Sequence, residues 1–359
     1  MIPTLQTLRR VAIARSLADP VSLAEALRRL GFVQADPIRS PARAQDLTLR
    51  HRVIDYRAGD LERHYATLDI EEDFFVNYGF LSREVYALMH PRAGIRKWQS
   101  PGKKKAEAVL AFVREKGRVH PREVDAHFAH GSVTNYWGGS SSATTHLLDH
   151  LHYRGLLRVV RREGGIRVYA PQDHEAAVLS PAGRRARVDA LIDVLARKYA
   201  PLPSATLSWL ANRLRIATPQ WQADKQSALA RARKRLAHAR VDGVDWYWPA
   251  DETFGAVDLD DEVRLLAPFD PIVWDRRRFE LFWGWAYRFE AYTPAPKRKL
   301  GYYALPLLFR DQIIGWANVS AKPGVMEISC GYASGASPTG RAFARAFERE
   351  RERLARFLG

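Results

Sequence analysis

The chain has 359 residues, 47% of them apolar and 27% charged, enough to bury a sizeable core and unlike a globally disordered protein. Lysine and arginine number 56 against 40 acidic residues, a formal net charge of +16. A surplus of that size points to a polyanionic partner, nucleic acid first, with an arginine-rich proteome as the plainer reading. Cys330 is the only cysteine, so an intrachain disulfide and a cysteine zinc site are excluded and a reducing cytoplasm is expected.

Taken in chain order, the N-terminal segment lacks the apolar core of a signal peptide. The most apolar run, LFWGWAY at 281–287, is too short to cross a bilayer. A soluble cytoplasmic protein with no membrane partner is therefore expected. The first clear helix is Leu23–Leu30. Ser22 and Glu25 form an S-x-x-E cap, Val21 and Ala26 sit as a staple, and Gly31 ends it. A second helix is expected to open at Ser40-Pro41, serine as cap and proline first, and to run through Ala44, Leu47 and Leu49 towards Val53.

Residues 101–130 read as two short helices around GRVHPREV. A third helix begins near Ser142, turns Leu147, Leu148 and Leu151 inward, and stops at Gly155. Leu156–Arg161 and Ile166–Ala170 then form strands joined at Gly164-Gly165. Three helices and a hairpin are the winged-helix plan, whose third helix enters the major groove while the wing touches the backbone. This wing carries Arg158, Arg161, Arg162 and Arg167. Residues 185–248 repeat the order with a short wing at Val241–Trp248, and the first 100 residues are expected to hold a related module.

After Pro249, short β-type runs broken by Pro, Gly and Asp predict a small antiparallel barrel or sheet. Ser337–Gly359 predicts an amphipathic helix. Phe343, Phe347, Leu354 and Leu358 lie on one face, and Glu350 with Arg353 and Glu352 with Arg356 on the other. The expected architecture is α+β, with tandem winged-helix modules at 1–100, 101–183 and 184–250. A β-barrel or sheet domain with a C-terminal helix follows at 251–359. The protein is expected to act as a monomer.

The stretch LGFVQADPI places Gln34 and Asp36 two residues apart before a proline. Asp36 is therefore pushed out of the helical region, and in an extended segment the two side chains project to one side, with Val33 and Ala35 on the other. The N-terminus of the following helix is a natural phosphate site, and Arg39, Arg43, Arg50 and Arg52 add positive charge. This suits cleavage of an N-glycosidic bond. A carboxylate stabilises the oxocarbenium-like sugar and accepts a proton from water, while the amide holds that water. An N7-alkylated purine already carries positive charge and leaves with little acid help. The plainer reading is an Asx-type turn before Pro37 with Gln34 on the surface.

LGFVQADPI followed by RAQDLTLRHR, then WGGSSSATTHLLDHLHYRGLL, then LAPFDPIVWDRRR with YTPAPKRKLGYYALPLL, resembles the YcaQ/AlkZ family of bacterial DNA glycosylases in the expected order. The resemblance implies tandem winged helices and a β-barrel that clasp duplex DNA, and a catalytic signature Q-x-Q or Q-x-D. Gln34-Ala35-Asp36 matches the Q-x-D branch, which resembles enzymes that unhook interstrand crosslinks joined through N7 of guanine. Where family members often carry a segment resembling F-E-Y-W-x-H, this chain has LERHYATLDIEEDFFVNYGFL, Leu61–Leu81. Its acidic cluster, Asp69, Glu71, Glu72 and Asp73, reads as a solvated helix start. A base tethered to the opposite strand cannot swing into a deep pocket, so an open, groove-facing site is expected.

Gln34 and Asp36 are thus the candidate catalytic pair. Arg39, Arg43, Arg50, Arg52, Ser141, Ser142, Arg161, Arg162, Arg167, Arg277, Lys297 and Arg298 are candidate DNA contacts. Ser141 and Ser142 belong to GGSSS, which lacks the Gly-Lys-Ser/Thr of a phosphate loop and reads as a helix start. His146, His150 and His152 lack an H-E-x-x-H pattern, and DLDDE at 258–262 reads as a polar loop. No metal and no other cofactor is expected. Trp246, Trp248, Trp283 and Trp285 are expected in the core. The expected function is hydrolytic release of N7-alkylated or crosslinked guanine by a monofunctional glycosylase. The alternative is a non-catalytic winged-helix DNA-binding protein or transcriptional regulator.

Overall fold

A computed structural model describes residues 3–93, 100–129, 131–134, 140–174, 179–255, 257–322 and 325–359. In chain order it begins with α1 (Leu5–Ser16), α2 (Leu23–Leu30), the short strand β1 (Phe32–Gln34), α3 (Ala44–Leu49) and α4 (Asp60–His64). Next come the strands β2 (Ile70–Phe74) and β3 (Tyr78–Ser82), then α5 (Arg83–Met89), α6 (Ser100–Lys116) and α7 (Pro121–Phe128). The paired strands β4 (Ser132–Thr134) and β5 (Ser140–Ser142) precede α8 (Ala143–Tyr153) and the hairpin of β6 (Leu157–Glu163) and β7 (Ile166–Pro171). There follow α9 (Pro181–Tyr199), β8 (Leu202–Pro203), α10 (Ser204–Ala217), α11 (Lys225–Arg235), β9 (Ala237–Val241) and β10 (Val244–Trp248). The last segment holds β11 (Val263–Leu265), α12 (Arg276–Trp283), β12 (Leu305–Phe309), β13 (Gln312–Lys322), β14 (Val325–Tyr332) and α13 (Arg341–Leu358).

The chain forms two compact units, one of residues 1–61, 192–211 and 229–359, the other of residues 62–191 and 212–228. In the first unit α2 is capped as its sequence predicts. The Ser22 hydroxyl accepts the Glu25 N–H, and Gly31 closes the helix at φ 63°. The Glu25 side chain reaches Arg28 and Arg29 instead of turning back to the cap. The next helix differs from expectation. It starts at Ala44, not Ser40-Pro41, and the Arg43 cap position makes no side-chain cap bond. Every residue of α3 is buried, so packing of Ala44, Leu47 and Leu49 decides where the helix begins. With six residues and a buried first turn, α3 is not the phosphate site expected there.

One apolar cluster of this unit joins Ile13 and Leu17 of α1 to Ile272, Phe279, Tyr287 and Leu308. A second joins Leu8 to Trp246, Trp248 and Phe282, so Trp246 and Trp248 are core residues as read from sequence. Strands β11, β12, β13 and β14 form one antiparallel sheet in that order. Of the expected barrel or sheet it is the sheet. The three-residue β11 pairs only with β12 among the described residues, and nothing there closes the sheet onto β14. Along α13, Phe343, Ala346, Glu350, Leu354 and Phe357 turn inward. Glu350, expected on the polar face, is fully buried and accepts hydrogen bonds from Arg50 and from the Leu265 N–H.

The second unit packs α6, α7 and α8 against β6 and β7 around Val109, Val113, Val124, Leu148, Leu151 and Val159. The hairpin turns at Gly164 and Gly165, both at positive φ, as the glycine pair requires. Of the acidic run expected to be a solvated helix start, only Asp69 is exposed, and the rest is strand. Glu71, Glu72 and Asp73 lie in β2 and are buried, each facing a cation.

Candidate active site

The site is built on the first unit. In β1, Phe32 and Val33 are buried, and the Phe32 carbonyl accepts a hydrogen bond from the buried Lys198 ammonium. Gln34 ends the strand half-buried. The Trp274 indole Nε1–H donates to its Oε1 at 3.1 Å. An indole N–H can only donate, so the amide oxygen must face Trp274 and the NH2 must face away. Trp274 is held in turn by Tyr199, stacked at 5.0 Å, and Trp209, edge-on at 5.0 Å.

Asp36 is half-buried in the turn that follows. Its Oδ1 accepts the Ile38 N–H at 2.9 Å, and its own N–H donates to Oε1 of the buried Gln45 at 3.4 Å. The Asx-type turn before Pro37 is therefore present, and it orients the carboxylate. Burial raises the Asp36 carboxyl above the ordinary aspartate range, opposed by the Ile38 hydrogen bond.

A loop from the far end of the chain brings a cluster of aromatic residues into the same unit. The buried Glu290 carboxylate accepts the N–H groups of Lys299, Leu300 and Gly301, which ties residues 290–301 into a closed loop. Gly301, at φ 118°, leaves room for Asn318, whose side chain a Cβ would meet at 2.2 Å. The loop displays Tyr292, 72% exposed, and Tyr302, over whose ring the Arg298 guanidinium lies at 5.0 Å. Phe289 sets Tyr292 and Tyr303 edge-on at 6.0 and 5.2 Å. Both phenols are raised by burial first and then by the negative charge of Asp36.

The candidate DNA contacts divide sharply. Arg39, Arg277 and Lys297 are exposed, while Arg43 and Arg298 are half-buried, Arg298 donating to the Thr293 carbonyl at 2.8 Å. Arg50 and Arg52 do not fit the expected role. Arg50 is buried against Glu350, and Arg52 forms a two-pronged pair with Asp270 at 2.8 and 3.0 Å. Of the run 276–278 only Arg277 is exposed, since Arg276 lies over the Tyr287 ring and Arg278 is buried on main-chain carbonyls.

In the second unit the wing arginines meet acids. Arg158 pairs with Glu71 at 2.6 Å, Arg161 with Glu163 at 2.6 Å, Arg162 with Glu72 at 2.6 Å and Arg167 with Asp149 at 2.9 Å. Arg162 and Arg167 are thus largely committed inside the unit. Ser142 caps α8, its hydroxyl accepting the Thr145 N–H and donating to Asp125 at 2.9 Å. The side chain of Ser141 and all of Trp137–Gly139 lie outside the described residues. His152 is buried with Nδ1 against the Leu157 carbonyl. Among the described residues no group of three or more His, Cys, Asp or Glu is placed to hold a metal ion.

With this geometry in view, the sequence model of the family described as DNA glycosylase AlkZ-like matches residues 27–357, a span that includes Gln34 and Asp36. The chain belongs to that family. The fold of the AlkZ-like family is also seen in the solved structure of Streptomyces sahachiroi DNA glycosylase AlkZ. It matches with a TM-score of 0.66 at 14% identity, over 99% of this chain and 97% of that one. At that identity the likeness is one of fold, mixed helix and small antiparallel sheets. No helix among the described residues is long and apolar enough to cross a membrane.

Sequence reasoning missed Trp274 as the partner of Gln34, and Tyr292 and Tyr303 as phenols that feel the charge of Asp36, in this AlkZ-like chain. Trp274, Tyr292 and Tyr303 lie in VWD, YTPAP and GYYALP, segments that carry the resemblance, but nothing local assigns them to Gln34 or Asp36. The one sequence signal was their density of aromatic residues close to basic ones.

Proposed function

We propose that this AlkZ-like chain hydrolyses the N-glycosidic bond of N7-alkylated guanine in duplex DNA, including guanine joined through N7 in an interstrand crosslink. The observation that carries the reading is a half-buried carboxylate and amide at the end of β1. Trp274 orients the amide and the Asx turn orients the acid. Water attacks C1′ of the sugar and the C1′–N9 bond breaks. Its electron pair leaves with the cationic purine, which departs neutral. Asp36 faces the sugar cation as it forms and takes the proton from water, while Gln34 holds that water. The step uses side chains and water only, with no lyase chemistry, which makes the enzyme monofunctional.

Three helix-and-hairpin segments, within 1–100, 101–183 and 184–250, serve in this reading as winged-helix modules on duplex DNA. Arg39, Arg43, Arg277, Lys297 and Arg298 contact phosphates. The second reading, DNA binding without catalysis, draws on the Asx turn at Asp36, which a purely structural aspartate also makes.

The test is incubation with duplexes carrying N7-methylguanine or an N7-to-N7 guanine crosslink, followed by alkaline cleavage. Release of the base and alkali-labile abasic sites from the native protein, absent with Asp36→Asn, are expected. A native protein that binds these duplexes and never leaves an abasic site would establish the non-catalytic reading instead.

A further inference from the structure

On α10, Leu207, Leu210 and Ala211 pack inward, while Trp209 keeps 47% of its surface in solvent. Its indole meets Trp274 edge-on at 5.0 Å, and Trp274 in turn donates to the Gln34 amide oxygen at 3.1 Å. One ring therefore separates an exposed tryptophan from the candidate catalytic amide, and all three residues belong to the first unit. The indole is held in place. Three residues earlier on the same helix, the Thr206 hydroxyl donates to the carboxylate of Asp275, the chain neighbour of Trp274. Helix α10 is thus fastened to residues 274–275 at two points, and Tyr199 backs Trp274 by stacking on it at 5.0 Å. The purine of the reaction proposed above carries a formal positive charge until its bond to the sugar breaks. An indole ring stacks on any base, and of the side-chain rings it attracts a cation most strongly. Unmodified guanine gains the stacking without the charge term.

We propose that the Trp209 indole lies against the alkylated purine and selects it by its positive charge. The inference rests on the N7-alkylated substrate of the reading above and adds to it the group that recognises the base, beside the pair that acts on the sugar. A ring on the outside of a helix encloses nothing, so it reads the charge whatever the size of the N7 substituent, a tether to the opposite strand included.

The experiment measures duplex affinity for two analogues that resist excision. One is 2′-fluoro-N7-methylguanine, which is cationic; the other is 7-methyl-7-deazaguanine, which has the same shape and is neutral. The native protein should prefer the cationic duplex about 3- to 30-fold, the worth of a cation–π contact. Trp209→Leu should bring the two affinities within about twofold of each other, and Trp209→Phe, with a weaker ring, should keep part of the preference. The readout is a ratio within one protein, so a variant of lowered stability still reports it, and a purely structural role would lower both affinities together. Equal affinity of the native protein for the two analogues, or a preference that survives in Trp209→Leu, overturns the role of Trp209. Excision of N7-methylguanine by the native protein is followed in parallel. Excision together with a preference kept by Trp209→Leu leaves the glycosylase reading standing and sinks this inference alone. Without excision that reading falls, and Trp209 as a charge reader is then decided by the ratio.

Discussion

The Trp274 indole N–H and the Gln34 amide oxygen meet at 3.1 Å across 240 residues of sequence. The amide of the candidate site is therefore aimed by a side chain from another segment. In Trp274→Phe that donor is gone and the amide can flip. Excision should slow about 2- to 10-fold, the worth of one neutral hydrogen bond, with duplex affinity unchanged. Paired rate and binding measurements check this.

Asparagine can make the same Asx turn as aspartate, so Asp36→Asn keeps the local fold and removes only the charge. Its excision rate should drop by at least about 100-fold. Asp36→Ala should lose the turn as well and show a lower melting temperature than Asp36→Asn.

Burial raises the Asp36 carboxyl, and catalysis as proposed needs it ionised. The acid limb of kcat/KM should therefore lie above the ordinary aspartate value of about 3.9. Rate profiles from pH 4 to 8 locate it, and a limb at or below the ordinary value would contradict the assignment.

Lys198 is held down to about 7 by burial and then by the neighbouring Arg52 charge. Burial, against the pull of Asp73, takes His90 down to about 4. Both folded values lie below the unfolded ones, so in each window the unfolded chain binds more protons and stability grows with pH. Between pH 7 and 10 the first unit should gain stability through Lys198, a gain that Lys198→Met removes. The His90 contribution is complete above about pH 6.5 and is lost as pH falls towards 4. Denaturant melts across pH test both.

Glu72 is fully buried and accepts from Arg162 and from the Tyr78 hydroxyl at 2.8 Å. Glu72→Ala leaves a cation without its partner and should cost about 3–5 kcal/mol. A double change with Arg162→Met should recover part of that loss, as a thermodynamic cycle measures.

Local features were legible and distant pairings were not. The helix at Leu23–Leu30, the Gly164-Gly165 turn and the inward Trp246 follow from capping, turn chemistry and apolar spacing, all short-range signals. Gln34 and Asp36 stood out only through resemblance, because their spacing alone fits an ordinary turn, and the turn is indeed there. Arg50, Arg52 and Glu350 read as solvent-facing charges. Their partners lie 300, 218 and 85 residues away, and no periodicity encodes that. The helix expected at Ser40-Pro41 failed for a related reason. Its cap signal was sound, but burial of Ala44–Leu49 set the boundary.

The strand Ile70–Phe74 has a further effect. By holding Arg158 and Arg162 with its own carboxylates it fixes the hairpin's stance from inside the unit. Any phosphate reaching those guanidinium groups has to displace an acid already seated there. The hairpin therefore presents its arginines as a nearly neutral ridge, on which ionic strength has correspondingly little purchase.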